Sequence, residues 1–541
     1  MLDPRAEYQR LTAHASLCLE TGRTHEAEAT LRVITQINPR EPLAWAQLAK
    51  IALERGATEA AVELLRQALK LDRKNSDYLN LLGVAYAEIG RYDDALSALR
   101  RSLRERPASA ETHYNIGKVL HKRSDLASAR DAFVRAIAID PRYPGARYMH
   151  ARMLMRLGDL DAAANAVDAA LADEPDDPWA LIQRSTILAA THGHDAAIEW
   201  LAAAAARFPA SAMLRTAYAE ALLGVGRFRE GWREYLARRL SEAPPTALPT
   251  LLPRDLHAAT VVLRSEQGLG DVIFFLRFAP RLCEYGASVS LQAPHKLAPL
   301  LARCPTFREV KQEDSASAET AVYVGDLPYL LDTECEPRSI QLAPLAPRVT
   351  AWRARLAAFG PPPYIGVTWR GGTDFRQERE FGRRDLRLLF KEVDLRVLGR
   401  GLREVAGTFV SIQRRPFVGE TDMLVQVFGR PVLDASGTND DLEDALALLD
   451  VLDSYVGVSN TNMHLRAALG KTARVLVPFP PEWRWMAGGE ESPWFPGFRV
   501  YRQSPQRSWD AALALLATDL RNESTERARH LVVQPSSASH S

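Results

Sequence analysis

The chain has 541 residues, enough for three or four folding units at about 100–200 residues each. Hydrophobic residues make up 47% and charged residues 25%, a balance that excludes global disorder and a collagen-like fibre. Lys+Arg at 68 against Asp+Glu at 67 leaves a formal net charge of +1, so no overall basic field exists to hold nucleic acid or an anionic membrane.

The first twenty residues carry charges of both signs and no apolar core of signal-peptide type. No run of about 18 apolar residues follows anywhere, and the Ala-rich run Leu201 to Ala206 is closed by Glu199 and Arg207. Cys18, Cys283, Cys304 and Cys335 are scattered, without the spacing of a disulfide framework or a zinc site. A cytoplasmic protein with neither metal nor cofactor is expected.

Self-similarity dominates the N-terminal half. Ala27, Ala61, Ala95, Ala129, Ala163 and Ala197 recur at intervals of 34. A second column runs Pro39, Pro107, Pro141, Pro175 and Pro209, and a third runs Gly22, Gly56, Gly90, Gly158 and Gly226 with Ser124 in the gap. The unit they define is a helix, a turn at the glycine, a second helix crossing closely at the alanine, and a stop at the proline. With Leu82-Gly83, Tyr86, Ala95 and Pro107 in place, and Ile116-Gly117, Leu120, Ala129, Phe133 and Pro141 repeating them, the unit resembles the tetratricopeptide repeat. Six units and a divergent last hairpin, with Gly231 where alanine is expected, fill residues 1–239. A hairpin cannot bury its own apolar face, so stacked units share one core and leave a groove suited to a protein segment. Asn80, Tyr114, Asn115 and Arg147 are candidates for that groove, against the alternative that they are ordinary solvated side chains.

Pro244, Pro245, Pro249 and Pro253 mark residues 240–256 as an extended linker. Beyond it, short β-rich runs alternate with helical stretches: 260–264, 287–292, 321–324, 364–368, 408–412, 454–458 and 474–477. Alternation predicts an α/β region, with one half over 257–360, a second over 361–523, and a disordered tail over 524–541.

Three segments carry candidate chemistry. A strand runs into Gln267-Gly268-Leu269-Gly270-Asp271 and then an amphipathic helix; the glycines permit close backbone approach, and Asp271 is either a helix cap or a reactive carboxylate. A second strand ends at Val458 and opens into Ser459, Asn460, Thr461, Asn462, Met463 and His464, short donors at a helix start that suit a diphosphate. A third ends in Thr368, Arg370, Gly371, Gly372 and Thr373, where Arg370 can pair with phosphate. The following Arg376, Arg379, Arg383 and Arg384 alternate with acids, as in a solvated loop or a lid. Trp483, Trp485, Trp494 and Phe495 offer flat rings for a sugar or base, or else pack a C-terminal extension onto the sheet. Asp440 and Asp441 read as acids at a helix start rather than a metal motif.

Taken in order, these segments resemble the GT-B glycosyltransferases of the ADP-heptose:lipopolysaccharide heptosyltransferase superfamily, and bacterial proteins that fuse tetratricopeptide repeats to such a domain. The resemblance spans about 257–505 and implies an α-solenoid followed by two Rossmann-like halves. It implies Asp271 as general base, and Gly268, Gly270, Thr368, Arg370, Gly371, Asn460, Thr461, Asn462, Met463 and His464 around a nucleotide-diphosphate sugar. Where that family carries Asp-Thr, this chain has Asn460-Thr461, so a donor-contacting carboxylate is missing. The implied reaction is inverting and metal-independent. Its implied acceptor is Ser or Thr of a protein held by the repeats, as in O-GlcNAc transferase, flagellin or another surface protein being the leading expectation. A saccharide or lipid-linked acceptor, and a non-catalytic scaffold with a degenerate domain, are the alternatives.

Overall fold

The structure, a computed structural model, describes residues 4–239, 249–312, 321–371, 391–417 and 419–533. It forms a stacked tetratricopeptide-repeat solenoid followed by an α/β region with two all-parallel sheets. Seven helical hairpins come first: Pro4–Glu20 with Thr24–Ile37, Pro42–Glu54 with Thr58–Leu71, Ser76–Glu88 with Tyr92–Glu105, Ala110–Lys122 with Leu126–Ile139, Ala146–Leu157 with Leu160–Asp173, Pro178–Thr191 with His194–Arg207, and Ala212–Gly224 with Phe228–Tyr235.

The columns of the sequence explain this geometry. The alanines of the 34-residue column are all at most 4% exposed, because each sits where two helices cross too closely for a larger side chain. Gly83 shows the same constraint from the facing helix, since a Cβ there would stand 2.5 Å from Leu99 Cγ. At the turns, Gly90 has φ +78°, and Ser124 adopts φ +62° in the glycine column's gap, so the left-handed turn is kept without glycine.

The chain divides into two compact units, one of residues 1–180 and one that takes in the described residues from Leu181 onward. The last hairpins therefore belong with the α/β region, which supplies the cover that a terminal repeat lacks. Trp232 of the final hairpin is 2% exposed and lies edge-on to Phe275, Phe278, Trp483 and Trp494 at 5.4–6.3 Å between ring centroids.

The first sheet orders its strands β3-β2-β1-β4, with β1 Thr260–Arg264, β2 Ser288–Ala293, β3 Glu309–Gln312 and β4 Val322–Tyr323. The second orders β10-β9-β8-β5-β6-β7, with β5 Tyr364–Thr368, β6 Thr408–Ser411, β7 Val432–Asp434, β8 Ser454–Val458, β9 Arg474–Val477 and β10 Arg499–Arg502. Counted from β5 this is the doubly wound order 3-2-1-4-5-6, whose ligand crevice lies beyond the carboxyl ends of the strands where the winding reverses, here between β5 and β8. The first sheet follows the same rule as far as its fourth strand, with its reversal between β1 and β4.

The final helix, Asp510–Val533, packs Leu513, Leu516, Ala517 and Leu520 into the core and continues through 524–533, where the sequence reading expects disorder. Good helix formers such as Glu526, Arg527 and Ala528 extend a helix already nucleated by packing.

Candidate functional site

At the reversal point of the second sheet, three side chains close a ring. Asn460 Nδ2 donates to Thr368 Oγ1 at 2.9 Å, Thr368 and Tyr455 hydroxyls lie 2.8 Å apart, and Tyr455 donates to Asn460 Oδ1 at 3.1 Å. The same Asn460 oxygen accepts the Asn462 N–H at 2.9 Å, capping the helix Thr461–Ala468. Burial pushes the Tyr455 phenol up to about 12, with the hydrogen bonds from Thr368 and Asn460 opposing it, so it remains a neutral hydroxyl. The ring leaves no room above it: a Cβ on Gly457 would stand 2.1 Å from Thr368 Oγ1. Gly371 is equally constrained, since its Cβ would stand 2.3 Å from the Ser459 carbonyl oxygen. Gly457 and Ser459 are themselves buried, while Gly371, Asn460 and Thr461 are partly exposed at the helix opening.

The glycine turn of the first half meets this point. A Cβ on Gly270 would stand 2.9 Å from His464 Cδ2 and 3.5 Å from Thr461 Cα, which is why the turn needs glycine there. The His464 ring lies edge-on to Phe274 and Phe495, 6.0 and 5.4 Å between centroids. Burial holds it well below the usual histidine range, and Arg484, Arg277 and Lys391 push it the same way against Glu482, so the imidazole is neutral. Its Nδ1 has no hydrogen-bond partner among the described residues.

Asp271 stands at the third position of the helix Leu269–Phe275, with Gly268 as the cap residue. Its Oδ2 accepts the Gly268 N–H at 3.1 Å, so it does cap the helix, from inside the first turn. Its Oδ1 accepts from Arg484 Nη2 at 2.5 Å, while Arg484 Nη1 reaches Glu482 Oε1 at 2.5 Å and Lys391 Nζ lies 2.8 Å from Glu482 Oε2. Lys391, Glu482, Arg484 and Asp271 thus form a chain of alternating charge from the second half to the first. Burial raises the Glu482 carboxyl, but Lys391 and Arg484 overcome it and hold the group well below the usual range.

The structure brings Gly270, Asp271, Gly371, Asn460, Thr461 and His464 together and employs other expected residues elsewhere. Arg370 makes a two-pronged ion pair with Glu420 at 2.7 and 3.2 Å, stacks over Phe417, and is 7% exposed, so its charge is already compensated. Met463 is fully buried in the core. Trp483, Trp485, Trp494 and Phe495 are at most 4% exposed; they pack the segment after β9 against Phe274 and Trp232 rather than offering a platform. Asp441 caps the helix Leu442–Val451 and pairs with Arg348 at 2.5 Å. Gly372, Thr373, Arg376, Arg379, Arg383 and Arg384 lie outside the described residues.

In the repeat unit, Asn80 donates to Glu111 at 2.9 Å and Asn115 donates to Asn80 at 3.1 Å, a polar line joining successive repeats. Tyr114 packs against Phe133 and Tyr143, and burial pushes its phenol up to about 12. Arg147 pairs with Asp173 at 2.7 Å and donates to the Pro141 carbonyl. Burial, reinforced by Lys122 and opposed by Glu88 and Glu111, brings the nearby Lys118 ammonium down to about 7. Among the described residues, one group of His, Cys and carboxylate ligand atoms lies close together, His14, Cys18 and Glu26 of the first hairpin, where Glu26 is paired with Arg23.

Sequence reasoning missed Lys391, Gln413, Tyr455, Glu482 and Arg484. Gln413 Oε1 accepts the Trp369 and Arg370 N–H groups at 3.1 and 2.9 Å, tying the end of β5 to the end of β6. The Glu482-Trp483-Arg484 run holds opposite charges two residues apart inside an aromatic tract, which is the one signal that the sequence offered for a buried pair.

The tetratricopeptide-repeat family matches residues 49–90, 80–144 and 120–184. Among curated proteins, Protein FlbA of Caulobacter vibrioides is 29% identical over 353 residues, covering 59% of this chain and 57% of that protein. The chain therefore spans little more than half the length of this relative. Solved structures similar to the chain include Pseudomonas aeruginosa pilF (20% identity, 39% of this chain, 96% of that chain, TM-score 0.35) and the type IV pilus biogenesis factor PilW (23% identity, 39% and 97%, TM-score 0.36). No helix among the described residues is long and apolar enough to cross a membrane.

Proposed function

We propose that the chain is a glycosyltransferase of GT-B type, moving a sugar from a nucleotide-diphosphate donor to a hydroxyl acceptor. One observation carries the reading: the glycine turn with Asp271 lies against Thr461 and His464 at the reversal point of a doubly wound sheet, where such folds bind nucleotides. The donor diphosphate fits the opening of the Thr461–Ala468 helix and the backbone of Gly371 and Ser459. Asp271, 31% exposed at its side chain, takes the proton of the acceptor hydroxyl. The acceptor oxygen bonds to the anomeric carbon as the bond to the diphosphate oxygen breaks, and the diphosphate leaves with that electron pair. Attack opposite the leaving group inverts the anomeric centre. Amides at the helix opening meet the leaving charge in this reading, and no divalent ion is required.

The repeats favour a protein acceptor, Ser or Thr of a captured segment, with exposed Glu111, at the end of the buried Asn115–Asn80–Glu111 line, as its first candidate contact. Flagellin or another surface protein follows from the family resemblance, and the place of action is the cytoplasm.

A second reading has a specific observation in its favour. Asn460 and Thr368 spend their polar groups on each other, and Arg370 on Glu420, as in a domain retained as a scaffold. Thermal shift and donor hydrolysis across a panel of nucleotide sugars decide between them. A transferase is stabilised by a donor and hydrolyses it slowly, and in Asp271→Ala keeps binding while hydrolysis falls to a residual rate. A melting temperature unmoved by every nucleotide sugar and diphosphate leaves the scaffold.

A further inference from the structure

Arg484 sits in a setting that stability alone does not require. Its guanidinium, 6% exposed at the side chain, is sandwiched near the rings of Trp483 and Phe274, 4.4 and 4.7 Å from their centroids. One prong holds Glu482, a buried acid that also has Lys391. The other prong crosses from the segment after β9 to the first half and holds Asp271, whose 31% exposure means that water already solvates its charge. A partly solvated carboxylate gains little stability from such a pair, but it gains a fixed orientation.

We infer that Arg484 is a positioning residue for Asp271, fixing the carboxylate for proton transfer only when the two α/β halves are together. The inference rests on the transferase reading above. Oδ1 is held by Arg484 and Oδ2 by the Gly268 N–H, so both oxygens are pinned and the side chain keeps one rotamer. An ionised carboxylate has about four acceptor positions, so two pins leave room for the incoming proton. The first pin comes from the second half and the other from Asp271's own turn. Opening the halves would remove the first and keep the second, leaving a carboxylate free to rotate. His464 beneath Gly270 is neutral and offers no competing charge.

The test is a double-mutant cycle on the full chain, using the nucleotide sugar that stabilises it most. Arg484→Lys keeps a cation for Glu482 but is a point charge without the fork needed to bridge two acids. It is expected to lower kcat by about 10- to 100-fold, the cost of a misplaced catalytic group, with donor KM within about twofold. In an Asp271→Ala background the same change should cost nothing further, because a residue acting through Asp271 has nothing left to act on. Equal losses in both backgrounds, or a rise in KM at constant kcat, overturn the role of Arg484. Full activity in Asp271→Ala removes Asp271 as the base and the role of Arg484 with it, whereas a wild-type chain that no nucleotide sugar stabilises and that hydrolyses none sinks the transferase assignment, so the two failures are distinguishable. Should Arg484→Lys fold poorly, the pair Glu482→Gln with Arg484→Met removes both buried charges together and must give the same non-additivity.

Discussion

The two parallel sheets wind in the same order through their first four strands, yet their reversal points are used in opposite ways. Beyond β1 and β4, Arg238 from the end of the last hairpin lies between Glu266 and Asp326, with side chains 5%, 13% and 10% exposed. Tyr235 adds a hydrogen bond to Gln267, so the crevice of the first sheet is filled by the chain itself. Beyond β5 and β8 no such buried ion pair lies among the described residues; the neutral ring of Thr368, Tyr455 and Asn460 packs against glycine backbone. The fold supplies two equivalent reversal points, and charge and side-chain length decide that one becomes a joint, while the other is where the proposed function puts the nucleotide.

The largest expected effect breaks the joint. Arg238→Met strands two buried carboxylates, and breaking a buried ion pair costs about 3–5 kcal/mol. Urea denaturation should show that loss, with recovery when Glu266→Gln and Asp326→Asn are added. Stabilisation by nucleoside diphosphates should survive in the variant, since the proposed nucleotide site lies in the other sheet. A loss below about 1 kcal/mol would put the triad in the class of surface pairs and dissolve the contrast.

Next comes Gly457→Ala, which drives a methyl to 2.1 Å from Thr368 Oγ1 and 3.0 Å from the Thr368 carbonyl. Overpacking of this kind costs about 1–3 kcal/mol. Because the obstacle includes backbone, the loop after β5 must move, and nucleotide-induced thermal stabilisation should vanish while the folded chain persists. Persistence of full stabilisation would place the nucleotide away from this reversal point.

Tyr455→Phe is gentler. It removes one hydroxyl from the closed ring, leaving the Asn460 cap on Asn462 intact, and should cost about 1–2 kcal/mol in thermal or urea melts. A neutral outcome would show that Thr368 and Asn460 satisfy each other without it.

How far the sequence exposed this arrangement depended on the kind of signal each part leaves. The repeats were legible because close helix crossings forbid anything larger than alanine, and such a constraint recurs at every unit. Seven strands were legible, but β3, β7 and β10 were not, and each of these is an edge strand. Glu309–Gln312 is largely exposed and Val432–Asp434 has three residues, so neither shows the apolar run that a central strand must. In the site, glycine positions were legible because backbone contact permits no substitute. Charge pairing was not: Arg370 and Glu420 lie fifty residues apart, and Asp271 and Arg484 more than two hundred. Local spacing cannot tell a cation awaiting phosphate from one already paired.

The smallest effect concerns pH. Glu482 is an acid whose folded-state pKa is depressed, with burial raising it and Lys391 and Arg484 more than reversing that. Below the unfolded-state value of about 4.3 the unfolded chain binds a proton that the folded chain does not, so folding loses stability as pH falls through that point and gains none above it. Glu482→Gln should therefore flatten part of the acid limb of the stability curve and leave the region above about pH 5 parallel to wild type. The first sheet's joint supplies the control: Glu482→Gln removes a charge only from the bridge between the halves, so the cost of Arg238→Met should be unchanged in its presence. Coupling between the two would mean that the joint and the bridge at the proposed site are one electrostatic system, and the division of labour between the sheets would have to be given up.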